Sequence, residues 1–127
     1  MRDRNAPLSE ADVAGLAWDK MDGLLPAIVQ DRTSGALLML GYMNEEALRA
    51  TLTSGFATFF SRSKGRLWQK GETSGNRQWV REVRLDCDGD TVLVKVLQEG
   101  AACHTGDRSC FDARPLPAVT GRPEGER

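Results

Sequence analysis

The chain alternates between short apolar runs and polar, glycine-containing segments, which is the pattern of a strand-rich protein. The runs that predict strands are residues 27–30, 36–43, 56–61, 67–69, 78–87 and 91–98. Residues 31–35 and the pair Lys64-Gly65 have the composition of tight turns. The second run is almost continuously apolar, and this predicts a strand that is buried on both faces.

Two segments carry helical signals. Ser9 is a good N-cap before an acidic first turn, and Asn44 precedes two glutamates that the helix dipole favours. The apolar positions expected to face the core are Val13, Leu16 and Ala17 in the first helix and Ala47, Leu48, Thr51 and Leu52 in the second, which Gly55 ends. The prediction is a β-rich α+β fold, with mixed and antiparallel strands and one or two short helices.

The predicted strand that starts at Gln78 alternates in character up to the aspartates near residue 88. One face would carry Trp79, Val83, Leu85 and Cys87, and the other Glu82, Arg84, Asp86 and Asp88. Gly89 then allows a turn that brings Asp90 to the other two aspartates. This segment is therefore expected to send carboxylates to one side and a thiol to the other.

Composition narrows the class of protein. The 127 residues form a single domain (1–127), with a frayed N-terminus over 1–8 and a tail over 112–127 whose end is expected to be disordered. A formal net charge of -1 argues against a nucleic-acid binder, and no apolar run approaches the roughly 20 residues of a membrane span. The N-terminus has no signal-peptide stretch, so we expect a cytoplasmic protein.

Three aspartates, Asp86, Asp88 and Asp90, are crowded into one short segment. Carboxylate oxygens are the ligands that Mg²⁺ prefers, often together with substrate phosphate. The alternative is a solvated acidic turn, because Asp-Gly is a common turn dipeptide. An EF-hand loop is excluded, since no glutamate follows at the required distance.

Every cysteine of the chain, and its only histidine, lies in or just after this region: Cys87, Cys103, His104 and Cys110. Three thiolates leave a fourth position for water or imidazole, which is typical of a catalytic zinc site. The alternative is a loop with incidental thiols. Clustered cysteines in a reducing compartment favour metal binding over disulfides, and an odd number would leave one unpaired.

The stretch from Ser61 to Arg81 holds six basic residues against the single acid Glu72. Arg62, Lys64 and Arg66 are predicted to share one strand face that suits phosphate, although such a run is also typical of a solvated face. Trp68 is a candidate for stacking on a base, with a core position as its alternative. The candidate substrate-binding residues are Ser61, Arg62, Ser63, Lys64, Trp68, Lys70, Glu72, Thr73 and Ser74.

Together these features predict a phosphorylated, nucleotide-like substrate and a metal-activated water. Zinc deaminases attack a ring carbon in this way, but their HxE and PCxxC signature is absent from the chain. Attack that opens the ring without release of ammonia stays open. A non-catalytic zinc module that binds a nucleotide or a protein partner is the alternative from another functional class.

Six motifs resemble one known family. They are Val29-Gln30-Asp31, Met39-Leu40-Gly41-Tyr42-Met43-Asn44, Ser61-Arg62-Ser63-Lys64, the run Leu67 to Gly75, the run Leu85 to Asp90, and Cys103-His104-Thr105-Gly106 with Ser109-Cys110-Phe111. Over about residues 18–111 the chain resembles the phosphoribosyl-AMP cyclohydrolases of histidine biosynthesis, in their monofunctional form. The family pattern departs at Ala101, where proline is frequent, and at Asn76, where many relatives carry histidine.

The resemblance implies metal-dependent hydrolysis of 1-(5-phosphoribosyl)-AMP, which opens the adenine ring between N1 and C6. It implies that Cys87, Cys103 and Cys110 bind Zn²⁺, with Cys87 donated by the other subunit of an intertwined homodimer. It further implies that the three aspartates bind Mg²⁺, and that the basic stretch holds the two phosphates of the substrate. His104 is the candidate for proton transfer or for a fourth zinc ligand.

Overall fold

The computed structural model describes residues 8–121. Its elements, in chain order, are α1 (Glu10–Ala14), a 3₁₀ helix (Trp18–Met21), β1 (Leu25–Asp31), β2 (Leu37–Met43), α2 (Glu45–Ser54), β3 (Thr58–Ser61), β4 (Arg66–Gln69), β5 (Gln78–Leu85) and β6 (Val92–Gln98). The predicted β-rich α+β class is confirmed, with α1 of 5 residues and α2 of 10 residues. Within the described part, a search for helices long and apolar enough to cross a membrane finds none.

Four strands form the main sheet in the order β2-β1-β6-β5, and β3 pairs with β4 in a separate hairpin. β1 runs antiparallel to β2 and parallel to β6, and β5 runs antiparallel to β6. Pro26 lies inside β1, one residue earlier than the predicted strand. The parallel pairing with β6 begins only at Ala27, so the proline meets no strand on its β6 side.

The core lies on one face of the main sheet. Alternate residues of the two central strands are buried there: Leu25, Ala27 and Val29 from β1, and Val92, Val94 and Val96 from β6. α2 and the β3–β4 hairpin cover this face, with Leu48 and Phe59 at most 2% exposed. The Phe59 ring also requires glycine at position 41, where a Cβ would lie 2.7 Å from a ring carbon.

Both predicted helix starts are confirmed, but each helix buries less than the pattern predicts. Ser9 forms a reciprocal capping box with Asp12, yet α1 ends at Ala14, so Leu16 lies beyond it. Asn44 accepts a hydrogen bond from the Ala47 backbone N–H at 2.8 Å. Leu52 is 49% exposed, so it does not belong to the buried stripe of α2.

The prediction that the second strand is buried on both faces is wrong. β2 is an edge strand of the main sheet, and Leu37 and Leu40 are 53% and 46% exposed. The outer face of the sheet, opposite the core, also exposes Leu97 at 37%. The continuous apolar run of β2 therefore has one face in the core and a second, outer face that no described residue covers.

A bulge in β5 overturns the predicted alternation at its start. The pairing register with β6 shifts by one residue between Val80 and Glu82. Val80 therefore pairs with the buried Val96, whereas Trp79 pairs with Leu97 on the outer face. Trp79 does not share a face with Val83, because the extra residue reverses the alternation.

The chain termini bear on two further predictions. The frayed N-terminus and the end of the tail fall largely on residues 1–7 and 122–127, which lie outside the described residues. Residues 112–120 form no helix or strand and are exposed, including Leu116 at 88% and Val119 at 99%.

Candidate functional site

The three aspartates converge in a turn and not on a strand. β5 ends at Leu85, so the predicted alternation of Asp86, Cys87 and Asp88 along a strand is wrong. Asp86 Oδ1 instead accepts the backbone N–H groups of Asp90 and Thr91 at 3.0 and 3.2 Å, which folds the segment back on itself. One ligand oxygen from each aspartate then lies within 4.8 Å of the others. We call residues 86–90 the acidic turn.

A cation from the N-terminal part of the chain balances the acidic turn. Lys20 Nζ lies 2.9 Å from Asp90 Oδ2 and 3.4 Å from Asp88 Oδ2. Its ammonium holds the pKa of Asp90 well below the usual range, with hydrogen bonds from the other two carboxyls adding to the effect. The pKa of Asp86 is raised, because partial removal from water disfavours its charge and its protonated form donates to Asp90. Oxygen donors at this mutual distance fit Mg²⁺.

The segment 102–110, here called the thiol loop, brings two cysteines together. The backbone N–H of Ala102 donates to the Arg108 carbonyl at 3.1 Å, and that of Cys103 to the Asp107 carbonyl at 3.2 Å. These bonds close a tight loop in which each of the Cys103 and Cys110 thiols affects the pKa of the other. His104 is exposed, and its Nδ1 lies 4.0 Å from Cys103 Sγ.

The two thiols differ in acidity. Hydrogen bonds from the Thr105 hydroxyl and backbone N–H lower the pKa of Cys103, since they stabilise its thiolate. Partial burial of its thiol raises the pKa of Cys110, and the neighbouring Cys103 sulfur adds to this, while the charge of Lys70 acts against it. A dithiol with one acidified member fits a soft cation such as Zn²⁺, which binds thiolates.

Cys87 stands in the acidic turn and is exposed. Of the part of the chain that the structure describes, only the three aspartates form a group of three or more candidate ligands within 4.8 Å. Cys87 therefore does not complete a three-ligand cluster with Cys103 and Cys110 of its own chain. Because the family resemblance implies that Cys87 belongs to the site of a second subunit, the predicted zinc set stays a prediction.

The prediction that three basic residues share one strand face is wrong, while their role in phosphate binding stays a prediction. Residues 62–65 form the turn of the β3–β4 hairpin, so Arg62, Lys64 and Arg66 do not line one strand face. The Gly65 N–H donates to the Ser61 carbonyl at 2.8 Å, which confirms the turn at Lys64-Gly65. The Arg62 guanidinium lies over the Tyr42 ring, 4.0 Å from its centroid.

The remaining substrate-binding candidates border the same region. Trp68 is half-buried, with its ring centroid 5.0 Å from that of Phe59, so it packs against the core. Glu72, Thr73 and Ser74 lie in an exposed turn, and the Lys70 N–H anchors the start of that turn on the Ala57 carbonyl at 2.9 Å.

The turn that holds Thr73 and Ser74 packs against the residues that lead into the thiol loop. A Cβ on Gly100 would collide with the amide of Asn76, and Gly100 has φ +71°. Only glycine allows this close approach without strain. Asn76, a departure from the family pattern, therefore lies beside the chain just before Cys103.

Sequence reasoning missed three residues that shape these sites. Lys20 is 70 positions from Asp90, and Asp31 is 77 positions from Arg108, with which it forms an ion pair of 3.0 Å. No spacing rule connects residues so far apart. The Val29-Gln30-Asp31 motif was the one available signal, because it ends on an acid at the close of a predicted strand.

Comparison with known proteins agrees with the motifs. Residues 39–112 match the family model described as phosphoribosyl-AMP cyclohydrolase. A protein of that name from Acidothermus cellulolyticus is 58% identical over 123 residues, which cover 97% of this chain and 86% of the relative. Another, from Nocardioides sp., is 64% identical over 116 residues, covering 86% of this chain and 94% of the relative.

A third relative, from Streptomyces coelicolor, carries the same name and is 63% identical over 97 residues, covering 76% of each chain. The matched region holds every cysteine and the histidine of this chain, as well as the acidic turn and the β3–β4 hairpin. The resemblance drawn from the six motifs is thereby confirmed. The chain belongs to the phosphoribosyl-AMP cyclohydrolase family.

Proposed function

We propose that this enzyme hydrolyses 1-(5-phosphoribosyl)-AMP in histidine biosynthesis, breaking the N1–C6 bond of the adenine ring. The observation that carries the proposal is the closed loop that holds Cys103 and Cys110, with its Ala102–Arg108 and Cys103–Asp107 backbone hydrogen bonds. It occurs in a chain that belongs to the phosphoribosyl-AMP cyclohydrolase family. A soft-metal site beside a basic segment suits a phosphorylated substrate that reacts with water.

The bond changes are those of a hydrolysis without loss of nitrogen. The oxygen of water forms a bond to C6 and becomes the carbonyl oxygen of a carboxamide, while N1 leaves C6 and takes up a proton. The exocyclic nitrogen stays on C6 as the amide nitrogen, so no ammonia is released. Alkylation of N1 withdraws electrons from C6, which makes this carbon the electrophilic position.

Cys103 and Cys110 would hold Zn²⁺, together with Cys87 of the partner subunit. Zinc bound there supplies Lewis acidity, which lowers the pKa of water to about 7. His104, whose Nδ1 lies 4.0 Å from Cys103 Sγ, would move a proton between water and N1. The lowered pKa of Cys103 supports its assignment as a zinc ligand, because a thiol must be deprotonated to bind the metal.

Positive charge for the phosphates would come from the β3–β4 hairpin and the chain that follows it. Lys64 and Arg66 are exposed at the hairpin, and Lys70 lies toward the thiol loop. Asp86, Asp88 and Asp90 would hold Mg²⁺, which pairs protein carboxylates with substrate phosphate in many enzymes. The phosphate assignment rests on the exposed basic side chains of the hairpin, and the Mg²⁺ assignment rests on the convergence of the three carboxylates.

A second copy of the chain is proposed to cover the outer face of the main sheet. Leu37, Leu40 and Leu97 expose between 37% and 53% of their surface on this side. An intertwined homodimer would bury them and would bring the exposed Cys87 of one subunit toward the thiol loop of the other. Sedimentation of Leu40→Asp tests this, since a charge on the covered face would favour monomers. If the variant sediments like wild type, the outer face is not the dimer interface.

The activity is tested directly with synthetic phosphoribosyl-AMP. We expect an ultraviolet absorbance change as the ring opens, loss of turnover after chelation, and recovery when Zn²⁺ and Mg²⁺ are restored. Release of ammonia in the same assay would instead indicate a nucleotide deaminase. Zinc binding without turnover at any metal level would favour a non-catalytic zinc module.

A further inference from the structure

An ion pair joins β1 to the thiol loop. Asp31 is the last residue of β1, and its side chain is only 6% exposed. Arg108 donates from Nη2 to Asp31 Oδ2 at 3.0 Å, across 77 positions of sequence. A carboxylate that is removed from water needs such a partner, because an unpaired buried charge is strongly unfavourable.

The two oxygens of this carboxylate have different partners. Oδ1 accepts the backbone N–H of Thr33 at 2.9 Å, which closes the hairpin turn between β1 and β2. Oδ2 accepts from Arg108 at 3.0 Å, and the Ser34 hydroxyl also interacts with this carboxylate. Turn formation and attachment of the thiol loop are therefore separate tasks of one side chain.

Arg108 is fixed from two sides. Its guanidinium is held by β1 through Asp31, and its carbonyl accepts a hydrogen bond from Gln98 Nε2 of β6 at 2.8 Å. The same carbonyl accepts the Ala102 N–H at 3.1 Å, which closes the loop between Cys103 and Cys110. The position of residue 108 thus sets the shape of the loop.

The residues after Arg108 are anchored on β2. Ser109 Oγ donates to the Leu37 carbonyl at 2.7 Å, and the Cys110 N–H donates to the Leu38 carbonyl at 2.7 Å. Cys110 is therefore positioned by its bond to β2, and Cys103 is positioned by the neighbouring Ala102–Arg108 hydrogen bond. Arg108 is the residue at which these two supports meet.

We infer that Asp31 is a positioning residue for the dithiol. Through Arg108 it sets the separation and direction of the Cys103 and Cys110 thiols, and so the affinity and geometry of the metal that they hold. The inference rests on the proposed function only for the identity of that metal. The contrasting possibility is that Asp31 merely closes the turn at Thr33.

One substitution separates these two roles. In Asp31→Asn the amide oxygen still accepts the Thr33 N–H, while the neutral side chain forms no ion pair with Arg108. Arg108→Gln removes the pair from the other end and leaves the turn untouched. Glu45→Gln is the matched control, because it also removes one carboxylate from an Arg pair, at 2.9 Å to Arg49 on α2, which holds no candidate ligand.

The measurement is Co²⁺ binding to the metal-depleted full-length chain, followed by visible absorption and by competition with a chelator. Residues that orient metal ligands typically change metal affinity by about 10- to 100-fold when mutated. We expect Asp31→Asn and Arg108→Gln each to weaken Co²⁺ binding in that range and to shift the thiolate–cobalt bands. The double variant should be no worse than Arg108→Gln, because both substitutions break the same ion pair.

A metal-free probe keeps this result separate from the enzymatic activity. Phenylarsine oxide bridges two adjacent thiols, and we expect it to bind Asp31→Asn and Arg108→Gln more weakly than wild type and Glu45→Gln. Equal binding of both probes to Asp31→Asn and wild type would overturn the positioning role. If the two variants bind the probes more weakly but the wild-type protein does not turn over phosphoribosyl-AMP, the proposed function is overturned and the positioning role stands.

Discussion

The acidic turn and the thiol loop reach their geometry by opposite routes. The acidic turn is folded by neighbours in sequence, since Asp86 Oδ1 accepts the backbone N–H groups of Asp90 and Thr91. Its distant contacts, from Lys20 and the Ala17 N–H, are added to a turn that is already closed locally. The thiol loop depends on distant partners, with Arg108 held by Asp31 across 77 positions and Cys110 bonded to Leu38 of β2. The carboxylates of the acidic turn come together once the turn forms, whereas the thiol loop takes its shape only when β1, β2 and β6 are in place.

The two regions also differ in charge balance. The acidic turn is already paired with a cation, the Lys20 ammonium, and a metal ion would compete with it for the carboxylates. In the thiol loop the Asp107 carboxylate opposes ionisation of Cys103, and the Thr105 hydrogen bonds outweigh it. The difference predicts that mutations will affect metal binding in the two regions through different causes.

The largest expected effect comes from removal of a loop thiol. Cys110→Ser should reduce kcat by about 1,000-fold, the equivalent of several kcal/mol of barrier that a Lewis-acid metal supplies. Zinc content by atomic absorption should fall with it. Asp90→Asn is the counterpart in the acidic turn, and there we expect zinc content to stay at the wild-type level. Loss of zinc from Asp90→Asn would show that the two regions form one site.

Mixing two inactive variants tests whether the thiol loop is completed across subunits. In a mixed dimer of Cys87→Ser and Cys110→Ser, one shared site would keep all three thiols, while the other would lose two. Random reassociation should therefore restore about one quarter of wild-type activity. If Cys87 serves its own chain, every site lacks a thiol, and the mixture stays inactive.

Local rules predicted the parts of the molecule that neighbours in sequence determine. The caps at Ser9 and Asn44, the turn at Lys64-Gly65 and the convergence of the aspartates all follow from residue type within a few positions. Even so, the aspartates converge through a turn, because β5 ends earlier than its alternating pattern indicates.

What local rules missed depends on pairing between distant strands. The bulge near Val80 follows from the register of β5 against β6, and it moves Trp79 to the outer face. The exposure of Leu40 follows from the edge position of β2 in the sheet order. Neither feature has a signal within its own stretch of sequence.

Replacement of His104 distinguishes the two roles that the sequence assigns to it. If it moves a proton, His104→Asn should lower kcat by about 100-fold and leave zinc content unchanged. Zinc loss from the purified variant would instead indicate a fourth ligand, which would extend the thiol loop's ligand set beyond cysteine.

A smaller effect is expected when the internal cation of the acidic turn is removed. Lys20→Met should tighten Mg²⁺ binding about threefold to tenfold, because the competing charge at 2.9 Å from Asp90 is lost. Isothermal titration of the zinc-loaded protein measures this, with Lys20→Arg as the control that keeps the charge. Weaker binding in Lys20→Met would mean that the lysine supports the cation site and does not compete for it.

The smallest effect concerns stability and its dependence on pH. The Thr33 N–H and the Arg108 guanidinium lower the pKa of Asp31 below its ordinary 3.8, so the folded state favours the charged form. This stabilisation is fully present above the ordinary pKa and is lost as the pH falls through the lower, folded-state pKa. Asp31→Asn should therefore reduce the free energy of unfolding by about 1–2 kcal/mol at neutral pH, allowing for the half-exposed Arg108.

Urea unfolding from neutral pH down to about pH 3 measures this difference. We expect it to be constant down to about pH 5 and to shrink as Asp31 becomes protonated. Glu45→Gln is the control for loss of an exposed pair, and its smaller effect should reflect stronger solvent screening. A difference for Asp31→Asn that does not shrink in acid would show that its charge does not attach the thiol loop. The loop would then be held by its other contacts, such as the bonds of Ser109 and Cys110 to the β2 carbonyls.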